Sequence, residues 1–194
     1  NLNTYGTTDV AEYRFDTNDY NPQDGFSGLF TAPELGMAIP ATLNLVGEHS
    51  IRSAVAAGAV GAKLGLSGEE IARGLAKVRA VNGRMNILRG VEGSVIIDDS
   101  YNSSPLAVAS ALRSLYQMNV PQKIAVLGSM NELGDSTEIE HVALAKLCDP
   151  TQLDYVVTVG EAAERYLAPA AKANRNQVAS FKSSIEAAGF VHKI

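Results

Sequence analysis

Three short apolar runs rich in β-branched residues, "SVIIDD" from Ser94, "KIAVLG" from Lys123 and "DYVVTVG" from Asp154, each lead into a loop and then into a helical pattern. Strands with so little charge are buried on both faces, and connections that contain a helix join strands in parallel. The expectation is three β-α units in a mostly parallel, Rossmann-like sheet. Helix starts agree with it: Ser104-Pro105 reads as an N-cap with proline at the first helical position, and Thr137 with Glu140 as a capping box. In sheets of this kind ligands sit outside the carboxyl ends of the strands. The side chains that follow each run are therefore the first candidates for function.

The chain before residue 84 has a different rhythm. "DVAEYRF" and "MAIPATLNLV" alternate like strands and are broken by the turn signals "NPQDG" and "APELG", which predicts mainly antiparallel β-structure up to about residue 46. From Ser50 the apolar positions Ile51, Ala54, Val55, Gly58 and Ala62 follow helical spacing with few charges between them, so this helix is expected to be buried. A second helix starts at Ser67, whose S-x-x-E pattern with Glu70 is a capping box, carries Ile71, Leu75 and Val78 inward and ends near Arg79. The turn "VNGRMN" marks the expected boundary between a first domain, 1–83, and a second, 84–194.

Bulk composition excludes several classes. An apolar share of 46% over 194 residues supports a packed core rather than disorder. With 16 basic against 21 acidic residues and no basic cluster, no nucleic-acid partner is expected. The lone Cys148, in "LAKLCDP", has no partner for an internal disulfide and reads as a buried residue at a helix end, which fits a reducing cytoplasm. The run "SAVAAGAVGAKLGL" is interrupted by Lys63 and falls short of the ~20 apolar residues of a membrane span. The chain opens without methionine and closes in mid-pattern at "AAGFVHKI", so a piece of a longer protein is expected.

Neither a dinucleotide nor a phosphate-loop fingerprint follows any of the runs, and "GAVGAKLG" lacks the glycine before its lysine and the hydroxyl after it. Its glycines are expected to permit close helix packing. Asp98 and Asp99 close the first run, where carboxylates either fix the next loop as an Asx turn or accept ribose hydroxyls or a hydrated Mg²⁺. Tyr101 and Asn102 add a stacking surface and an amide to the same loop. Arg84, after Asn82-Gly83, is either a solvated turn arginine or a bidentate phosphate ligand. His49 stands at the entry of the first buried helix, where backbone N–H groups favour an anion; a capping or core role is the alternative, and three histidines without a second ligand nearby do not make a zinc site. Glu132, in "LGSMNELG", either shapes a pocket or ends a strand.

In order, "GEHSIRSAVAAGAV", "NGRMN", "IIDDSYNSSP" and "VLGSMNELGD" resemble the Mur ligase family, from about residue 40 to the end of the chain. The D-D-S-Y-N segment followed by proline is similar to that of members that add a D-alanyl-D-alanine dipeptide. The resemblance implies the end of a mixed α/β ATPase domain followed by a truncated Rossmann-like acceptor domain. For the complete enzyme it implies ATP and Mg²⁺ as cofactors and UDP-N-acetylmuramoyl-tripeptide and D-alanyl-D-alanine as substrates, joined through an acyl phosphate in a monomer.

Carried onto this sequence, the family pattern makes Asp99 the ribose ligand and Arg84 a nucleotide contact from the domain hinge. His49 matches the histidine of the H-N-x-x-N motif, with Ser50 and Ser53 where the family has asparagines. The implied nucleotide set is His49, Ser53, Arg84, Asp99 and Asn102, and the implied substrate set is Tyr101, Asn102, Ser103 and Glu132. The phosphate loop, catalytic glutamate and metal-binding lysine of the family lie outside this chain, so it holds no catalytic residue or metal ligand and is expected to be inactive alone. The alternative is a non-catalytic, Mur-ligase-like binding module for a nucleotide or dipeptide.

Overall fold

The structure, a computed structural model, describes residues 3–194. Asn1 and Leu2, the first residues of the expected β-rich segment, lie outside that range. The chain divides into two compact units, residues 1–98 and 99–194.

The first unit is built on a four-stranded sheet of order β1-β2-β3-β4, comprising β1 (Tyr5–Gly6), β2 (Tyr13–Asn21), β3 (Gly25–Thr31) and β4 (Ile39–Leu43). The pairs β2-β3 and β3-β4 are antiparallel, and β1 runs parallel to β2. "NPQDG" does turn the chain: Asn21 Oδ1 accepts from the Gln23 N–H at 2.8 Å, an Asx turn, and Gly25 follows at φ 114. Strand alternation buries Tyr13, Phe15, Phe26 and Phe30 on one face. Helix α1 (Glu48–Lys63) starts two residues earlier than the apolar spacing suggests and buries Ile51, Ala54, Val55, Gly58 and Ala62 as expected. Gly58 lies so close to the Phe30 ring that a Cβ there would be 2.6 Å from Cζ, which is why this helix carries glycine at its contact with the sheet.

Helix α2 (Gly68–Lys77) has the expected capping box, with Ser67 Oγ accepting from the Glu70 N–H and the Glu70 carboxylate accepting from the Ser67 N–H at 2.9 Å. Ile71 and Leu75 are buried, but Val78 is not part of the stripe: it is the extended C-cap residue and 44% exposed. Arg79 donates to the carbonyls of Ala76 and Val78 and so closes the helix end. Each large side chain of the core formed by the sheet and both helices contributes ~1.5–3 kcal/mol on burial.

The run "SVIIDD" does form a strand, β6 (Val95–Asp98), but it is not part of the parallel sheet. It pairs antiparallel with β5 (Asn86–Arg89) in a two-stranded hairpin, Asn86 opposite Asp98 and Arg89 opposite Val95. Glu92 and Gly93, both at positive φ, make the short return that a helix-containing connection could not.

The parallel sheet of the second unit is β7 (Ile124–Gly128), β8 (Tyr155–Val159) and β9 (Val178–Phe181), in that order. Sequence reading missed β9, a short, half-buried strand without the apolar run of the others. Helix α3 (Pro105–Gln117) begins as expected, with Ser104 Oγ accepting from the Ala107 N–H. Helix α4 (Thr137–Ala145) does not have the capping box expected at Thr137: the Thr137 hydroxyl donates to Gly134 O at 2.7 Å, and Ser136 occupies the N-cap. A π-helical turn, Ala163–Leu167, continues into α5 (Ala168–Ala173). Leu144, Cys148, Leu167 and Ala171 of this layer close over Val156. On the other face α6 (Ser184–Val191) sets Phe190 edge-on to Tyr155 and beside Phe181. Cys148 is fully buried, and burial pushes its thiol up to about 11, so it is a packing residue and not an activated nucleophile.

Candidate functional site

In the first unit, the start of α1 is shaped by Gly47 at φ 83. A Cβ there would lie 2.8 Å from His49 Cε1 and 3.4 Å from Met85 Cε, so only glycine lets the imidazole and the Met85 side chain approach the helix entry together. Ser50 is committed to its own backbone, its hydroxyl donating to Gly47 O at 2.7 Å, while Ser53 is exposed one turn on. Near this end of the unit is a cavity of about 290 Å³ lined by Asn44, Val46, Arg79, Met85 and Asn86, at the lower end of the size range of ligand pockets. Asn44 shapes one wall, donating to Ala76 O at 2.5 Å.

Asp98 Oδ2 accepts from the Gly83 N–H at 3.1 Å, and Gly83 itself sits at φ 73 in a turn closed by the Arg84 N–H to Val81 O. Asp98 therefore ties the residue before Arg84 to the residue before Asp99. Its part in the arrangement was not read from the sequence, although the pairing of a glycine turn with a doubled carboxylate is the signal that could have shown it.

In the second unit the predicted substrate residues stand on two separate loops. Tyr101, 73% exposed, and Asn102 lie between Asp99 and the Ser104 cap, and Asn102 Oδ1 accepts from the Ser103 N–H at 2.9 Å. Glu132 stands on the loop that follows the carboxyl end of β7, in the left-handed region at φ 62. That loop leaves the sheet beside the end of β8: the Ser129 N–H donates to Val159 O, and Ser129 Oγ accepts from the Ala163 N–H at 3.1 Å. Among the described residues, no three His, Cys, Asp or Glu side chains cluster as a metal site, and no helix is long and apolar enough to cross a membrane. Sequence reading also missed His141, which is fully buried and bonded to this loop. Its spacing with Leu144 and Ala145 on the inner face of α4, and with Cys148 just beyond it, was the available signal.

Residues 83–191, more than half of the chain, match the family described as "Mur ligase, glutamate ligase domain". The chain belongs to the Mur ligase family. Over 159 residues it is 30% identical to the UDP-N-acetylmuramoyl-tripeptide:D-alanyl-D-alanine ligase of Bacillus subtilis, an alignment that covers 81% of this chain and 34% of that protein. Among solved Mur ligases, MurF of Acinetobacter baumannii superposes with a TM-score of 0.80 at 29% identity, covering 97% of this chain and 39% of the other. MurF of Thermotoga maritima, solved in complex with ADP, shares the fold with a TM-score of 0.70 at 22% identity, over 91% of this chain and 38% of that one. The chain thus spans about a third of the length of the curated Mur ligase it matches. Its mixed α/β architecture with a three-stranded parallel sheet is that of the Rossmann-like C-terminal domain of the family.

Proposed function

We propose that this chain is the acceptor-side part of a peptidoglycan-precursor ligase that joins D-alanyl-D-alanine to UDP-N-acetylmuramoyl-tripeptide. The observation that carries the reading is the D-D-S-Y-N-S-S-P loop, which leaves the carboxyl end of β6 inside the family match. In the whole ligase, ATP with Mg²⁺ would supply a phosphoryl group to the tripeptide carboxylate, and the dipeptide amine would displace phosphate from that acyl phosphate to form the amide.

Within this chain Asp98 holds the turn and Asp99 accepts the ribose hydroxyls, with Arg84 as the partner for phosphate. His49, Ser53 and Asn102 complete the nucleotide set, and Tyr101, Asn102, Ser103 and Glu132 face the dipeptide. The acceptor domain begins at residue 84, and the parent enzyme works as a cytoplasmic monomer. This chain alone has no turnover, because its sequence contains no phosphate loop.

Calorimetric titration of the chain with D-alanyl-D-alanine and with Mg-ADP, beside Asp99→Ala, tests the assignment. Dipeptide binding that survives the substitution, with nucleotide binding that does not, is the expected result. ATP-dependent phosphate release by the pure chain would refute its inactivity.

A second reading, a non-catalytic binding module, has one observation in its favour. The Ser50 hydroxyl is committed to Gly47 O, and a serine at position 53 offers fewer donors than the amide the family carries there. Dipeptide binding with no nucleotide binding at millimolar concentration would favour this reading.

A further inference from the structure

We propose that His141 is a positioning residue that sets the presentation of Glu132 to the acceptor dipeptide. This rests on the reading of Glu132 as a dipeptide contact. The imidazole is fully buried, and it joins the backbone just before Glu132 to the first turn of α4. Nε2 accepts from the Met130 N–H at 3.0 Å, two residues before Glu132, and Nδ1 faces Thr137 O at 2.7 Å, five residues after it. A backbone N–H needs an acceptor and a carbonyl needs a donor, so the arrangement is satisfied only by the neutral ring with its proton on Nδ1.

The rest of the loop agrees with this. Met130 is buried at 1% exposure and Leu133 packs against the same core, so the chain is anchored just before and just after Asn131 and Glu132. Ser129 fixes the entry through Val159 O and the Ala163 N–H, and Thr137 fixes the exit through Gly134 O. Glu132 is exposed between these points in a backbone conformation that a non-glycine residue holds only when its surroundings impose it. One buried ring therefore pins the start of the loop, at Met130, to the first turn of α4, and a carboxylate on a loop so held meets a ligand without first losing conformational freedom.

The test uses the chain with His141→Phe, which keeps a ring but neither bond, and His141→Gln, which keeps one acceptor and one donor. Each variant is checked for folding by circular dichroism, then titrated with D-alanyl-D-alanine, and the Met130 amide is followed by hydrogen exchange. The expected result is an unprotected Met130 amide and at least tenfold weaker dipeptide binding in His141→Phe, with His141→Gln within threefold of the parent. A folded His141→Phe chain with unchanged affinity, or with the Met130 amide still protected, overturns the proposal. If His141→Phe does not fold, His141→Gln decides: dipeptide affinity that follows Met130 protection, both kept or both lost, supports the proposal, and affinity that does not follow it overturns it. Failure of the parent chain to bind dipeptide, or unchanged binding by Glu132→Gln, removes the reading of Glu132 instead. In that event the amide shifts of residues 131–134 decide: movement in the His141 variants supports the positioning role, and no movement overturns it.

Discussion

Asp98 accepts the backbone N–H of Gly83 at 3.1 Å, so the base of the β5-β6 hairpin is fastened to the turn that precedes it. A charged acceptor on a partly buried amide contributes ~1.5–3 kcal/mol. Asp98→Ala is expected to lower stability by about 1–2 kcal/mol in urea denaturation. Asp99→Ala is expected to weaken Mg-ADP binding at least tenfold in calorimetry. Parental Mg-ADP binding by Asp99→Ala, or unchanged stability of Asp98→Ala, would sink this division of roles.

Gly58 and Gly74 have opposite settings on neighbouring helices. Gly58→Ala places a Cβ 2.6 Å from the Phe30 ring and is expected to destabilise by ~1–3 kcal/mol through overpacking. At Gly74, exposed within α2, an added Cβ would meet nothing within 4 Å, so Gly74→Ala is expected to stabilise by roughly 0.5–1 kcal/mol. Thermal melts of the two variants should move in opposite directions.

Ser67 closes both halves of its capping box, and Ser67→Ala is expected to cost about 1 kcal/mol. Thr137, whose hydroxyl only answers the Gly134 carbonyl, is expected to cost less when changed to alanine. Chemical denaturation of the pair gives the comparison.

Glu34 supplies a pH-dependent contribution. The Tyr13 hydroxyl donates to its carboxylate at 2.7 Å and the Lys63 ammonium lies 2.9 Å away, and these two bonds lower its pKa to about 2. A carboxylate with a depressed native pKa stabilises the fold above its unfolded value and loses that contribution as it becomes protonated. Stability should therefore decline as pH falls from about 4.5 toward 2, and Glu34→Gln should flatten that part of the curve. Parallel curves for parent and variant between those values would contradict the assignment.

How much of this was legible in the sequence differs between elements. Local signals did well: the Ser67 and Ser104 caps and the turns at "NPQDG" and "VNGRMN" rest on contacts within a few residues, and the inner stripe of α1 shows in the helical period itself. Pairing was harder, since "SVIIDD" has the composition of a parallel core strand while its partner, Asn86–Arg89, is a half-exposed stretch with no run of its own. Thr137 and Glu140 matched a spacing, but the loop turns the threonine hydroxyl toward Gly134 instead of into the helix. Of the candidate site, the residue types and loops were readable. The Asp98 bond and the buried His141 were not, because each depends on a partner eleven or more residues away that only the folded backbone brings near.

The ring at position 141 also limits how this loop can evolve. A donor and an acceptor at opposite corners of one rigid side chain are a combination that no aliphatic or acidic residue supplies, and most single replacements would strand a backbone group in the dry interior. Asn131 and Asp135, exposed on the same loop, carry no such burden. Variation among descendants of this chain should therefore collect at those outward positions, where the surroundings of Glu132 can change while the backbone geometry that holds it is inherited unchanged.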